Sequence, residues 1–231
     1  MSSDENNFSH SIRSFIRRQG RITAAQKLAL EQYSGKYCLD PAKKCDFSQV
    51  FGRVAPLCVE IGFGNGATLA QMARDNPDKD YIGIEVHRPG VGQLLMFLEQ
   101  YELDNVRIYC HDALQMMASH FPDHCLSAVH LFFPDPWPKK KHHKRRIVRP
   151  EFIQLIVKKL KPGGYFHAAT DWQPYAESML EVLTASDGLQ NTSTTNDYCS
   201  RPDGRPMTKF EQRGLRLGHG VWDLIFNKTE F

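Results

Sequence analysis

"LCVEIGFGNGATL" (Leu57–Leu69) decides the fold. Leu57–Ile61 is an apolar run of strand length, Gly62, Gly64 and Gly66 allow a tight turn, and Ala67–Arg74 has helical patterning. The same alternation continues outward. Tyr81–Glu85, Val106–Cys110, Ala128–Phe133 and Tyr165–Ala169 read as strands, and Gly92–Tyr101, Pro150–Leu160 and Tyr175–Ala185 as helices. Alternating strands and helices predict a mostly parallel sheet with helices on both faces. "KPGG" (Lys161–Gly164) is expected to end a helix and turn into the next strand. A last strand, Trp222–Phe226, follows a long irregular stretch from Asn191 to Gly220.

The chain has 231 residues, 41% hydrophobic and 24% charged, enough for one α/β domain with a sizeable core. Six of its 29 Lys/Arg fall within Lys139–Arg146, and setting them aside turns the net charge from +3 to −3. Positive charge confined to one place suggests one polyanionic partner met at one face. The six cysteines lack CxxC spacing and read as reduced and mostly buried, which points to the cytoplasm. No apolar run reaches membrane-spanning length, so no membrane partner is expected. His120 and His124 are separated by Pro122, and His142 and His143 lack suitably spaced partners, so no metal is expected. His130 and His167 read as core residues of strands.

Ligands of an open parallel sheet bind beyond the carboxyl ends of its strands. There each of the five strands carries an acid: Glu60, Glu85, Asp112, Asp135 and Asp171. Asp112 and Asp171 can also be read as helix N-caps. The glycine loop fits both a dinucleotide fingerprint, with Glu85 as the ribose acid, and the E-x-G-x-G-x-G pattern of S-adenosylmethionine (SAM) enzymes. Five acids would repel a pyrophosphate. SAM carries a cationic sulfonium and ammonium, and its one carboxylate suits the backbone N–H groups of a glycine loop. The acidic rim therefore favours SAM over a nicotinamide cofactor, and it disfavours an RNA-binding protein without a cationic ligand.

"FFPDPWPKKKHHKRR" (Phe132–Arg146) follows the fourth strand. Pro134, Pro136 and Pro138 stiffen the loop that carries Asp135 and Trp137. An acceptor and an aromatic face suit a flat heterocycle, although Trp137 can also be read as a core plug. A loop of this type also serves methyl transfer to exocyclic amines, which leaves that chemistry open. The basic run reads either as a solvated face or as a phosphate contact.

"VEIGFGNG", "FPDPWPKKKHHKRR", "ATDW" and "RPMTKFEQRGLRLGH" together resemble the bacterial tRNA (guanine-N7)-methyltransferase family, and the likeness extends from "RSFIRRQGRIT" (Arg13–Thr23) to the C-terminus. The resemblance implies a class I SAM-dependent methyltransferase with a Rossmann-like, mostly parallel seven-stranded sheet. Residues 51–231 would form that domain; residues 1–50 are polar with one basic stretch, Arg13–Thr23, and read as a partly flexible N-terminal extension whose basic stretch is either frayed surface or a tRNA contact. It further implies methylation of N7 of a guanosine in the tRNA variable loop, by a monomer or homodimer. The loop glycines Gly62, Gly64 and Gly66 read as cofactor-binding, and carried over by position the family's cofactor contacts fall on Glu60, Glu85, Asp112 and Asp135, with Asp135 as the active-site residue. The implied substrate contacts are Lys139, Asp171, Thr208, Lys209, Phe210 and Glu211. The implied RNA segment is Lys141, His142, His143, Lys144, Arg145 and Arg146.

Overall fold

Strand propensity and burial act together in β1 (Leu57–Ile61), whose five residues are all buried. β2 (Asp80–Ile84), β3 (Val106–Tyr109), β4 (Leu126–Phe132) and β5 (Leu160–Thr170) follow, and β6 (Leu189–Asn191) and β7 (Trp222–Lys228) complete the sheet. The computed structural model describes residues 20–216, 218 and 220–230. The strand order is β3-β2-β1-β4-β5-β7-β6. β1 to β5 pair in parallel, and β7 runs antiparallel to both β5 and β6. The order reverses direction at β1, so the crevice between the carboxyl ends of β1 and β4 is the place where such sheets bind ligands.

Because the strands are buried on both faces, alternate residues feed two cores. Val59, Ile61, Val129, Leu131, Phe166 and Ala168 belong to one. It is closed by helices α5 (Ala113–His120), α6 (Pro150–Lys159) and α7 (Gln173–Thr184). Cys58, Ala128 and Phe132 belong to the other, beneath α1 (Ala24–Tyr37), α3 (Ala67–Asp75) and α4 (Arg88–Gln100). Two further helices are α2 (Phe47–Phe51) and α8 (Lys209–Arg216).

Several sequence expectations change, among them the irregular stretch Asn191–Gly220, which contains α8. The described part of the N-terminal extension is ordered: α1 starts with a capping box between Thr23 and Gln26 and buries Ala29 and Tyr37. The Tyr37 hydroxyl donates to Glu99 of α4 at 3.2 Å, which ties this segment to the domain. Arg13–Gln19 of the basic N-terminal stretch lie outside the described residues. "KPGG" is not a separate turn. α6 ends at Lys159, and Lys161–Gly164 form the irregular start of β5, where the register with β4 shifts and Gly163 has φ +72°. Finally, of the six cysteines, expected to be mostly buried, only Cys58 is buried and the other five are half-buried.

Candidate active site

The glycine loop is built for close approach. Gly66 ends it in the left-handed region (φ +75°), and a Cβ there would lie 2.5 Å from Cβ of Leu94. A Cβ at Gly90 would lie 2.0 Å from the carbonyl oxygen of Gly64, so only glycine lets the start of α4 pack on the loop. At Gly62 and Gly64 a Cβ would meet nothing within 4 Å, so this side of the loop is open.

Glu85 locks the loop to the end of β2. Its Oε2 accepts the Gly64 N–H at 3.0 Å, and its Oε1 accepts the N–H groups of Val86 and His87 at 2.7 and 2.9 Å. A carboxylate has about four acceptor sites, so capacity remains for a ligand hydroxyl. The sequence reading reserved the loop's N–H groups for a ligand carboxylate, but here the Gly64 N–H donates its hydrogen bond to Glu85.

Glu60 lies beneath this loop, 3% exposed, and its Oε2 is buried without a partner. Burial, with the Glu85 charge adding to it, pushes its carboxyl up to about 8. A buried acceptor with no donor is the kind of group that a cationic ligand satisfies.

A cavity of about 220 Å³ opens beside the loop, and Gly62, Glu85 and Asp135 line it together with the apolar side chains of Ile61, Ile84 and Leu131. Of the five strand-end acids, only Glu85 and Asp135 reach its wall. Asp112 caps α5 by accepting the Gln115 N–H at 3.0 Å, while its neighbours His111 and Ala113 line the cavity. Asp171 is exposed at the end of β5 and caps nothing, because Trp172 occupies the N-cap position of α7 without a side-chain hydrogen bond.

Asp135 is exposed on its loop, and that loop is strained on both sides. Phe133 and Trp137 have φ of 52° and 46°, costly values for large side chains that persist only where packing enforces them. Trp137 supplies that packing, and it offers no open stacking face. It is 9% exposed, meets His142 edge-on at 5.8 Å, and carries the Arg145 guanidinium over its ring at 5.0 Å. Trp137 thus anchors the short 3-10 helix Lys140–Arg145, as the core-plug alternative has it.

The basic segment divides in two. Lys139, Lys140, Lys141 and Lys144 are exposed, and His142, His143 and Arg145 are half-buried. Burial and the surrounding Lys/Arg charges hold the His142 imidazole below its usual range. Arg146 turns inward. It is 5% exposed, donates from Nε to the Pro136 carbonyl at 3.0 Å, and lies over the Tyr175 ring at 4.7 Å. In this conformation it braces the loop and does not present its charge to a phosphate.

Glu211 differs most from its expected place at a substrate. It is 2% exposed, and both carboxylate oxygens are held by Arg205, at 2.7 and 2.8 Å. Its N–H donates to Thr208 Oγ1 at 3.0 Å, and Oε2 accepts the Thr208 N–H at 3.3 Å. Lys209 and Phe210 lie in α8, but their side chains are outside the described structure. The sequence gives no local sign of Arg205 or of its second partner, Asp223, because the three residues meet only through the fold.

Among the described residues no group of three or more His, Cys, Asp and Glu could hold a metal ion, and no helix is long and apolar enough to cross a membrane. The open glycine loop, the acidic wall and the orphaned Glu60 oxygen together fit SAM. The strand order, with the ligand crevice at β1 and β4, is that of the class I SAM-dependent methyltransferase fold.

Solved structures share this fold. An rRNA methylase from Streptococcus thermophilus superposes with TM-score 0.52 at 14% identity, covering 76% of this chain and 88% of that one. The 16S rRNA methyltransferase KamB gives 0.59 at 15% identity, covering 81% and 95%. Residues 54–224 match a family model described as "Putative methyltransferase". The tRNA (guanine-N(7)-)-methyltransferase of Photobacterium profundum is 54% identical over 220 residues, 95% of this chain and 90% of that protein. The protein of that name from Escherichia coli K12 is also 54% identical, over 95% and 92%. The chain belongs to the tRNA (guanine-N(7)-)-methyltransferase family.

Proposed function

We propose that the protein methylates N7 of a guanosine in the variable loop of tRNA, with SAM as donor, in the cytoplasm. The observation that carries this reading is the placement of Asp135. It lies on the wall of the acid-lined cavity, on a loop whose next residues are the exposed lysines of a basic segment. Bound SAM supplies a methyl group made electrophilic by its sulfonium. Glu60, Glu85 and the loop Gly62–Gly66 would hold it, and Asp112 would steady the cavity wall by capping α5.

Guanine N7 has a lone pair and no proton to lose, so no residue need act as a strong base. The chain's work is to orient the base, which can contribute several kcal/mol, about 7–11 at best. Asp135, helped by Asp171, accepts from guanine N1–H and the exocyclic amine, and these carboxylates stabilise the positive charge that the methylated base gains. Lys139, Lys140, Lys141 and Lys144 hold tRNA phosphates.

The test is incubation with methyl-labelled SAM and unmodified tRNA, followed by digestion to nucleosides. Label in 7-methylguanosine is expected. Label in N2-methylguanosine or N6-methyladenosine would favour the exocyclic-amine alternative and overturn this reading.

A further inference from the structure

Arg205 is 1% exposed and joins two carboxylates that belong to different elements. Its Nη1 and Nη2 hold Glu211 of α8 at 2.7 and 2.8 Å, and its Nε and Nη2 hold Asp223 of β7 at 2.7 and 2.9 Å. Asp223 also meets His167 of β5 at 2.7 Å. Burial alone would raise the Asp223 carboxyl, but its hydrogen bonds to His167 and Arg205 outweigh burial and hold it below its usual range. The Arg205 guanidinium also lies 5.8 and 5.7 Å from the ring centres of Phe132 and Phe133, within cation–π range.

These contacts converge on the candidate site. Phe133 is two residues before Asp135. Asp223 pairs with Ala169, two residues before Asp171. Glu211 closes the Thr208–Glu211 turn. One planar fork therefore links the three segments that carry the candidate substrate contacts. A buried charge cluster is expensive to desolvate and adds little net stability compared with apolar packing. What it does provide is a fixed geometry for its partners.

We propose that Arg205 is a positioning residue for methyl transfer, fixing the Thr208–Glu211 segment against the ends of β4 and β5. The proposal rests on the function proposed above.

Arg205→Lys tests it, because an ammonium keeps the charge but cannot fork to both carboxylates. A folded Arg205→Lys protein should lose at least tenfold in kcat for tRNA methylation, while the KM for tRNA changes less than threefold. Asp223→Asn keeps the Arg205–Glu211 pair and loosens its tie to β7, so it should lose about threefold to tenfold in kcat. Thermal unfolding of each variant is measured alongside. A folded Arg205→Lys protein with wild-type kcat overturns the proposal, as does activity loss that merely follows unfolding. If both variants fail to fold, the network is structural and the proposal falls. Wild-type protein that makes no 7-methylguanosine sinks the proposed function instead, which keeps the two failures distinct.

Discussion

Glu60 and His130 face each other across β1 and β4, in register and on the same side of the sheet. Each buries a polar atom without a partner, Oε2 of Glu60 and Nδ1 of His130. Burial pushes them in opposite directions, the carboxyl up to about 8 and the imidazole down to about 3, with the neighbouring His167 adding to the latter shift. Both are therefore neutral near pH 7 without ligand. Glu60 binds its proton more tightly in the folded chain, so its contribution is full below pH 4.5 and is lost as pH rises through about 8. His130 does the reverse: its contribution is full above pH 6.5 and is lost as pH falls toward about 3. Thermal unfolding at pH 6 and pH 9 should show a fall in wild-type Tm that Glu60→Gln largely removes. The Glu60 shift corresponds to at most about 4–5 kcal/mol. Equal falls in both proteins would mean that Glu60 is already ionised at pH 6.

Asp135→Asn keeps size and polarity but replaces one acceptor oxygen with a donor and removes the charge. Because the side chain is exposed on a loop braced by other residues, the fold and most SAM affinity should persist. Loss of one electrostatic contact in a reacting site typically costs about 10²–10³ in kcat, and a fall of that size is expected. Steady-state methyl transfer to tRNA, with SAM binding by calorimetry as control, measures it. Unchanged turnover would remove Asp135 from the mechanism.

The four exposed lysines carry a separable prediction. Replacing Lys139, Lys140, Lys141 and Lys144 with Gln or Ser should raise the tRNA KM and leave SAM affinity as it was. If each touches one phosphate, the log–log salt slope of tRNA binding should flatten by about 3, at roughly 0.7–0.9 per contact. A matching loss of SAM affinity would show that the lysines also shape the cofactor site.

β1 to β5 were legible because each is an apolar run with an acid close behind it, as in Leu57–Gly66, whereas the three-residue β6 carries no such run. What escaped had no such local mark. α1 mixes Leu28 and Leu30 with Lys27 and Glu31 and shows only a weak apolar stripe, and its one sequence signal is the Thr23–Gln26 capping pair. α5 did carry a mark, the reading of Asp112 as an N-cap, although Ala113–His120 was not among the helices expected. Arg146 turns inward because it packs on Tyr175, far along the chain. The Arg205 cluster draws on three distant segments, and a buried charge looks like a surface charge until its partners are placed.

Arg146 separates bracing from RNA contact within a single basic run. Its neighbour Lys144 ends in solvent, whereas Arg146 satisfies the Pro136 carbonyl and packs on Tyr175. Arg146→Gln should destabilise the protein by about 1–3 kcal/mol, the range for leaving a buried acceptor unsatisfied and losing the packed stem. Lys144→Gln, as a surface change, should stay within about 0.5 kcal/mol. The salt dependence of tRNA binding should respond the other way, flattening in Lys144→Gln and holding near the wild-type slope in folded Arg146→Gln. Chemical denaturation gives the first comparison, and tRNA binding between 50 and 200 mM salt, roughly the range over which phosphate contacts are read out, gives the second. If Arg146→Gln is as stable as wild type and flattens the slope by about 1, the guanidinium leaves Pro136 to bind phosphate and the inward conformation is not the RNA-bound one.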